Sequence, residues 1–259
     1  MQVLDLFKLT NKVAVITGAA GYLGGDFGEA FAEAGAHVVL ADLNGKLCEE
    51  RANILSGIGS ESMGFCVDVT DTSSIESMVK KVEKRFQKID ILVNAACQHI
   101  STSLEERTPA DFERILRVDL TGTFLCSQIV GRRMIEQRHG NIINLGSIYG
   151  IVSSDPRIYG SSGLNNPEVY SASKGGIIQL TKYLAVHLAK YNIRVNCLSP
   201  GGVYNNQDQE FLRNYNNKVP MARMARPEEL KGALVYLASE ASSYVTGHNL
   251  VVDGGLTIW

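Results

Sequence analysis

The feature that most restricts the fold is an alternation of short apolar segments with longer helical segments along the whole chain. The apolar segments have the length and composition of buried strands, and several end at a glycine or a polar residue. They span residues 13–17, 37–41, 62–67, 89–93, 141–145, 193–198 and 250–253. Strands that alternate with crossover helices form a parallel sheet. The sequence therefore predicts an α/β fold of a single domain over residues 1–259, with a doubly wound seven-stranded parallel sheet and helices on both faces.

Polar residues and glycines stand directly after several of the predicted strands. The positions are Thr17-Gly18, Asp42, Asp68, Asn94, Ser147 and Pro200. The carboxyl ends of parallel strands meet at one edge of a sheet, and ligands bind there, where the strand order reverses. We therefore expect these residues to surround a ligand site.

The turn after the first strand has the sequence TGAAGYLG over residues 17–24 and precedes a helix. Glycines at this place let the backbone approach a pyrophosphate, whose charge lies at the helix N-terminus. An acidic residue, Asp42, ends the next strand, which is typical of the Rossmann-type dinucleotide fold. The sequence therefore predicts a dinucleotide site, with a purely structural turn as the alternative.

Asp42 favours NAD over NADP, because a carboxylate accepts hydrogen bonds from ribose hydroxyls and repels a 2′-phosphate. Neither the glycine turn nor the two residues after Asp42 include Arg or Lys. Lys46 is the nearby cation that weakens this prediction. The alternative interpretation of Asp42 is a helix N-cap.

A tyrosine and a lysine, Tyr170 and Lys174, stand four residues apart at the start of a helix predicted over 168–191. Residues i and i+4 share one face of a helix, so the ammonium can stabilise a tyrosinate. A free tyrosine has a pKa of about 10 and needs a shift of roughly 2 to 3 units to exchange protons near neutral pH. A nearby lysine, helped by an oxidised nicotinamide, is a source of such a shift. The pair is weak evidence by itself, since chance produces such pairs in chains of this composition.

Together these motifs resemble the short-chain dehydrogenase/reductase family in its single-domain form, over essentially the whole chain. The motifs that carry the resemblance, in family order, are TGAAGYLG at 17–24, Asp68-Val69, NAAC at 94–97, Ser147, YSASK at 170–174, Pro200-Gly201 and VDGG at 252–255. The resemblance implies that Tyr170 is the general acid/base. It also implies that Lys174 lowers the pKa of Tyr170 and holds the nicotinamide ribose, and that Ser147 hydrogen-bonds the reacting oxygen.

The resemblance further implies a set of cofactor contacts, from the adenine at Asp68 and Val69 to the nicotinamide amide at residues 200–203. Besides Tyr170 and Lys174, the implied cofactor residues are Gly18, Gly21, Tyr22, Leu23, Asp42, Leu43, Asp68, Val69, Asn94, Ala95, Pro200, Gly201 and Val203.

Three positions depart from the usual family pattern. The glycines fit T-G-x-x-G-x-x-G, with Tyr22 where the short members have a glycine, and Cys97 ends a motif that is commonly N-N-A-G. Asp119 stands where the family has a catalytic asparagine, which is held to position a water through its backbone carbonyl. The resemblance therefore implies a catalytic role for Asp119. The alternative is that Asp119 caps or kinks the long helix predicted from Pro109 to about Arg138.

The substrate prediction starts from Ser147 and Tyr170, which lie further apart in sequence than is common in the family. The additional residues fall within 151–167 and are mostly polar, so we expect a polar substrate rather than a lipid. Substrate contacts are predicted from Ser147, Tyr170, Tyr149 and Arg157, with Arg157 binding a phosphate or carboxylate. An ion pair with Asp155 is the alternative for Arg157.

A second polar segment, at about 203–218, is predicted to close over the substrate as a lid. The sequence thus predicts an NAD(H)-dependent oxidoreductase that interconverts a secondary alcohol and a ketone on a polar, sugar-derived substrate, phosphorylated sugars included. The segments 147–160, 165–185 and 199–207 also resemble members of bacterial surface-polysaccharide, flagellin-modification and nonulosonate pathways. Three alternatives stay open: a sugar-nucleotide epimerase or dehydratase with bound NAD, a 3-oxoacyl reductase, and a non-enzymatic NAD-binding protein.

Composition limits the partners. The formal net charge is −2 and no basic cluster predicts a nucleic-acid partner. No apolar run reaches the length of about 18 residues that spans a membrane, and no signal peptide is evident, so a cytoplasmic protein is expected. The histidines have no metal-ligand spacing and the scattered cysteines predict free thiols. The family resemblance implies a homotetramer, or a homodimer.

Overall fold

The computed structural model describes residues 2–58, 61–100, 102–162 and 165–259. Seven parallel strands form one sheet in the order β3-β2-β1-β4-β5-β6-β7. The strands are β1 Val13–Thr17, β2 His37–Asp42, β3 Ser62–Cys66, β4 Ile91–Asn94, β5 Gly140–Leu145, β6 Ile193–Pro200 and β7 Asn249–Val252. The strand order reverses between β1 and β4, which places a switch point at the carboxyl ends of these two strands.

Eight α-helices accompany the strands in the described part of the chain. They are α1 Gly24–Glu33, α2 Gly45–Ser56, α3 Thr72–Phe86, α4 Pro109–Leu116, α5 Gly122–Gln137, α6 Glu168–Leu188, α7 Gln209–Asn216 and α8 Lys231–Ala238. They cover both faces of the sheet, so the predicted doubly wound α/β fold is confirmed.

The alternation of side chains along β1 shows how the two faces are filled. Val13 and Val15 pack into the apolar cluster that includes the buried side chains of α3, α5 and α6. Ala14 and Ile16 pack into the opposite cluster, with those of α1, α2 and α8. All four residues are fully buried, as a strand covered on both faces requires.

Some predicted elements differ from the structure in their bounds or continuity. Strand β4 begins at Ile91 rather than residue 89, because the backbone N–H of Ile89 donates to the Gln137 side chain (2.9 Å) instead of a strand. The helix predicted over 109–138 is interrupted by a π-helical turn at Arg117–Thr121, which carries Asp119. Such turns are often found at functional sites.

The segments near the carboxyl ends of β5 and β6 include several short helical turns. Turns of 3-10 helix occupy Ile148–Gly150 and Pro156–Ser162, the second with a kink at Gly160. Residues 163 and 164 of the segment predicted as an insertion lie outside the described residues. The polar segment at 203–218 includes α7, which the sequence analysis did not predict.

Within the described residues, no helix is both long and apolar enough to cross a lipid bilayer.

Candidate active site

A cavity of about 400 Å³ opens at the carboxyl ends of β1, β2, β3 and β4. Most of the residues that were predicted to contact a cofactor line it. From that set, the lining residues are Gly18, Gly21, Tyr22, Leu23, Asp42, Leu43, Asp68, Val69 and Ala95. The structure therefore brings together residues from four separate strand ends and turns, in the position expected for a ligand at the switch point.

The glycine turn packs so tightly that there is no room for a side chain at Gly18 or Gly24. Gly18 has a φ of +70°, and a Cβ there would lie 2.5 Å from the carbonyl oxygen of Ala95. A Cβ on Gly24 would lie 2.5 Å from the carbonyl oxygen of Gly18. Glycine meets both requirements, a left-handed backbone and a close backbone approach. The cradle thus fits the pyrophosphate of a dinucleotide at the start of α1.

Asp42 is held at the edge of the cavity by backbone donors. Its carboxylate accepts hydrogen bonds from the N–H groups of Ala20 (3.2 Å) and Asn44 (3.0 Å). The N-cap of α2 is Asn44, whose side chain accepts from the Leu47 N–H, so Asp42 is not the cap of this helix. Lys46 does not line the cavity: its side chain is 87% exposed and lies 3.8 Å from Glu50.

Arg51 is a cation at the glycine turn that the sequence analysis missed. Its guanidinium extends from α2 and donates to the carbonyl oxygens of Ala19 and Gly21, the latter at 3.1 Å. It therefore bridges two carbonyls of the turn. No signal in the sequence separates Arg51 from the other charged residues of α2, because its role depends on how α2 docks.

Tyr170 and Lys174 lie on the first turns of α6, with Ser147 directly after β5. Lys174 is 2% exposed, its Nζ donates to the carbonyl oxygen of Leu145 (2.8 Å), and this Nζ lies 5.4 Å from the centre of the Tyr170 ring. Ser147 is also buried, and its Oγ accepts from the Tyr149 N–H (3.2 Å). The structure thus brings the predicted Ser, Tyr and Lys together beside the cavity.

The pKa of Tyr170 differs from the lowered value that the sequence predicts. Burial raises the pKa of Tyr170 above its ordinary value, while Lys174 and a hydrogen bond with Ser147 act in the lowering direction. Burial acts to lower the pKa of Lys174, but the acidic groups of Cys97, Tyr170 and Asp119 outweigh it and raise that pKa. Lys174 therefore remains a cation, but by itself it does not bring the Tyr170 pKa below the ordinary value.

The Asn94 side chain lies in the core, and its amide nitrogen is hydrogen-bonded there rather than directed to a ligand. It is 3% exposed, and its Nδ2 donates to Ser127 (3.0 Å) and Asn144 (2.8 Å) in the core. Its Oδ1 is buried and has no hydrogen-bond partner among the residues that the structure describes. The predicted contact between Asn94 and the cofactor ribose stays a prediction.

The segment after β6 is fixed at three points. The Gly201 N–H donates to Val252 (2.9 Å), the Gly202 N–H donates to the Tyr215 hydroxyl, and Val203 pairs with Ala225. This segment follows Pro200 and was predicted to contact the nicotinamide amide. Its link to Tyr215 couples it to α7.

The side chains predicted to bind substrate separate into two groups. Tyr149 is partly buried near Tyr159 and Tyr170, and burial raises its pKa. Arg157 instead makes two hydrogen bonds of 2.8 Å to Asp155, with its side chain 78% exposed. The ion pair expected as the alternative for Arg157 is therefore the arrangement that the structure contains.

The described residues include no group of three or more His, Cys, Asp or Glu side chains placed to hold a metal ion.

Comparison with known proteins places the chain among oxidoreductases. A family model described as enoyl-(acyl carrier protein) reductase matches residues 18–257. An NAD-dependent glycerol dehydrogenase of Listeria innocua is 34% identical, with 97% of this chain and 96% of the relative covered. A 3-oxoacyl-[acyl-carrier-protein] reductase of Thermotoga maritima is 34% identical (97% and 100% covered). A D-threitol dehydrogenase of Mycolicibacterium smegmatis is 35% identical (97% and 95% covered).

Solved structures agree with this placement. A short-chain type dehydrogenase/reductase from Mycobacterium marinum superposes with a TM-score of 0.91 at 36% identity, with both chains fully covered. A gluconate 5-dehydrogenase from Burkholderia cenocepacia, in complex with NADP and tartrate, gives 0.91 at 32% identity, with 99% of each chain covered.

The doubly wound sheet, the glycine turn and the adjoining serine, tyrosine and lysine define an enzyme that interconverts alcohols and ketones. The chain belongs to the short-chain dehydrogenase/reductase family.

Proposed function

We propose that the protein is an NAD(H)-dependent dehydrogenase that interconverts a secondary alcohol and a ketone on a polyol or related sugar-like substrate. The observation that carries the proposal is the buried ammonium of Lys174, 5.4 Å from the ring centre of Tyr170, beside a cavity with a glycine cradle. A buried cation at a phenol has an evident use when that phenol must exchange protons.

In the oxidation direction, the ionised Tyr170 takes the proton of the substrate hydroxyl. Ser147 donates a hydrogen bond to the same oxygen, while Lys174 stabilises the phenolate. A nicotinamide bound in the cavity would supply the hydride acceptor, and in its oxidised form a positive charge in addition to that of Lys174. That second cation would allow a phenol whose pKa is raised by burial to ionise near neutral pH.

The preference for NAD rests on Asp42 and its surroundings. The carboxylate is held in place by Ala20 and Asn44, while Lys46 points away and Arg51 is engaged by the glycine turn. A 2′-phosphate would meet a fixed negative charge there. The relatives alone do not distinguish NAD from NADP as the cofactor, since the glycerol dehydrogenase is named for NAD and the gluconate dehydrogenase structure contains NADP.

A neutral, hydroxylated substrate is favoured over an anionic one. The irregular segment beside Tyr170 offers the phenols of Tyr149 and Tyr159, whereas Arg157 is already paired with Asp155. Glycerol and threitol, the substrates for which two relatives are named, have this chemistry. The relative named as a 3-oxoacyl reductase keeps an acyl ketone as the rival substrate class.

Assembly into a homotetramer, or a homodimer, is part of the proposal. The exposed apolar side chains of α5 and α6 support it, among them Phe124, Tyr183 and Val186. Val186 is 83% exposed, which is unusual for an aliphatic residue in mid-helix. Light scattering of the purified protein measures the mass and tests the assembly directly.

Steady-state assays test the proposed activity: oxidation of a panel of polyols and apolar alcohols with NAD⁺ and NADP⁺, and reduction of acyl ketones with NADH and NADPH. We expect reduced cofactor to form with at least one neutral polyol and a higher kcat/KM for NAD⁺. Activity confined to acyl ketones or apolar alcohols contradicts the substrate class, and a higher kcat/KM with NADP⁺ contradicts the role of Asp42. Epimerised product without net cofactor reduction would support the epimerase alternative instead.

A further inference from the structure

Two residues that depart separately from the family pattern, Cys97 and Asp119, meet in the structure. The Cys97 Sγ lies 3.3 Å from Asp119 Oδ2, although the residues come from the loop after β4 and from the π-helical turn. Asp119 is fully buried, and Cys97 lines the cavity at the end of β4. The contact brings a thiol donor to a carboxylate.

The surroundings of Asp119 offer its carboxylate three hydrogen-bond donors. An ionised carboxylate only accepts hydrogen bonds, whereas an asparagine also donates two. Asp119 Oδ1 accepts from the Gln98 N–H (2.9 Å) and Oδ2 from the Cys97 thiol. The Ser173 Oγ is 3.1 Å from Oδ2 and 2.8 Å from the Tyr170 carbonyl, so it shares one proton between them. A glycine in place of Cys97 would leave Oδ2 with that shared donor alone.

The carboxylate contacts the helical turn that carries the reacting groups. Ser173 stands between Tyr170 and Lys174 in sequence, and its Oγ lies 3.1 Å from Oδ2 of Asp119, which belongs to the π-helical turn between α4 and α5. The ionisable groups that face Tyr170 are Lys174 on α6, Cys97 after β4, Asp119 on the π-helical turn, and Tyr149 and Tyr159 beside β5. Burial raises the pKa of Tyr170, Lys174 lowers it, Cys97 raises it and the hydrogen bond with Ser147 lowers it; the Asp119 charge is a smaller contribution that raises it. Cys97 is exposed to the cavity, but loss of solvation and, to a smaller extent, the Asp119 carboxylate outweigh the opposing effect of Lys174 and raise the pKa of the thiol to about 12, so the thiol keeps its proton.

We propose that Cys97 and Asp119 act as one positioning unit, in which the thiol holds the carboxylate and the carboxylate charge raises the pH at which Tyr170 ionises. This inference rests on the proposed function, because Tyr170 must be the proton acceptor. Asp119 places a charge where the family pattern has a neutral asparagine. Cys97 supplies a hydrogen-bond donor to that charge.

The sign of the effect follows from the charge. In the oxidation direction, kcat/KM rises with pH as Tyr170 ionises, and a nearby carboxylate opposes that ionisation. Asp119→Asn removes the charge, so the rising limb of the profile moves to lower pH, by roughly 0.5 to 1 unit. Cys97→Ala removes a hydrogen-bond donor that partly offsets the negative charge of Asp119. The charge then opposes the ionisation of Tyr170 more strongly, so the rising limb moves to higher pH. In an Asp119→Asn background, Cys97→Ala leaves the rising limb in place, since the carboxylate charge that the thiol offsets is gone.

The test is the pH profile of kcat/KM for the wild type, Asp119→Asn, Cys97→Ala and the double variant. Cys97→Ser, which keeps a donor, is expected to restore the wild-type limb relative to Cys97→Ala. An unmoved limb in Asp119→Asn overturns the proposal, and so does an equal shift from Cys97→Ala in both backgrounds. If Asp119→Asn fails to fold, the contrast between Cys97→Ala and Cys97→Ser still decides whether the donor matters.

A second readout does not depend on turnover. Ultraviolet difference titration of each protein against its own Tyr170→Phe partner isolates the ionisation of the Tyr170 phenol. The same order of midpoints is expected, with Asp119→Asn lowest and Cys97→Ala highest. If no polyol is oxidised but this order appears, the proposed function fails and the positioning unit stands. If the midpoints coincide, the positioning unit fails.

Discussion

At the scale of single residues, Lys174 has the most demanding environment in the site. Its ammonium is withdrawn from water and bonded to the Leu145 carbonyl, beside the Tyr170 phenol. A buried charge is costly unless it is paired and hydrogen-bonded. Its position is therefore consistent with a function in the site rather than with a contribution to stability.

Replacement of Lys174 by methionine keeps much of the side-chain volume and removes the charge. We expect kcat to fall by at least about 100-fold, because the phenolate loses its stabilising cation. The rising limb of the pH profile should also move to higher pH, since Lys174 acts to lower the pKa of Tyr170. Lys182→Met, at an exposed position of the same helix, is the matched control. A Lys174→Met enzyme with nearly wild-type kcat would refute the role of the ammonium.

Arg51 gives a second prediction at this scale, for cofactor affinity. It donates to two carbonyls of the glycine turn, and hydrogen bonds to a charged donor are worth about 1.5 to 3 kcal/mol. Arg51→Met should therefore raise the KM for NAD⁺ by roughly 10-fold or more, with a nearly unchanged kcat at saturation.

The control for Arg51 is Lys46→Met, which removes an exposed cation from the same helix. It should leave the KM for NAD⁺ unchanged. Equal effects of the two variants would show that the net charge of α2 matters and that the bridge to the turn does not.

At the scale of elements, the segment Pro156–Ser162 and helix α7 form one packed unit. Glu210 on α7 accepts hydrogen bonds from the Ser161 hydroxyl (2.8 Å) and N–H (3.3 Å), and the Tyr159 ring meets Phe211 edge to face at 5.3 Å. Buried Ile158 and Tyr215 belong to one apolar cluster beneath these contacts. The substrate segment therefore depends on α7 for its position.

Glu210→Ala removes this anchor and should loosen the segment that carries Tyr159. We expect the KM for the polyol to rise by roughly 2- to 10-fold, the equivalent of a hydrogen bond of 0.5 to 1.5 kcal/mol, with little change in the affinity for NAD⁺. Glu210→Gln keeps an acceptor oxygen and should resemble the wild type. A rise in the KM for NAD⁺ alone would contradict this assignment.

The elements that could be predicted from the sequence are those whose pattern lies within one short segment of the chain. The apolar periods of the strands and the glycines of the first turn follow from burial and backbone packing, which each segment encodes by itself. Helix α7 was missed because polar residues surround it, although Phe211 and Tyr215 have the i, i+4 spacing of a helical face. That spacing is the signal which could have identified it.

Contacts between distant segments were beyond the sequence analysis. Arg51 reaches the glycine turn, and Cys97 reaches Asp119, only because helices dock in a particular register on the sheet. The predicted effect of Lys174 on Tyr170 was right in direction but incomplete, since burial outweighs it. The depth of a side chain is a property of the packed fold.

At the scale of the whole molecule, the cofactor should stabilise the fold by mass action. A ligand at 100 times its Kd adds about 2.7 kcal/mol to the free energy of unfolding. For a chain of this size that corresponds to a rise in Tm of roughly 5 to 10 °C. NAD⁺ should produce this shift in a thermal melt, and NADP⁺ at the same concentration should produce a smaller one. A larger shift with NADP⁺ would contradict the preference assigned to Asp42.

The central claim is that Tyr170 exchanges the proton during NAD-linked oxidation of a neutral polyol. The most direct measurement is kcat for that oxidation in Tyr170→Phe, with NAD⁺ affinity measured on the same protein. The claim predicts a loss of at least about 100-fold in kcat with NAD⁺ affinity nearly unchanged, because only the proton acceptor is removed. A Tyr170→Phe enzyme that binds NAD⁺ normally and keeps more than a tenth of the wild-type kcat would contradict it.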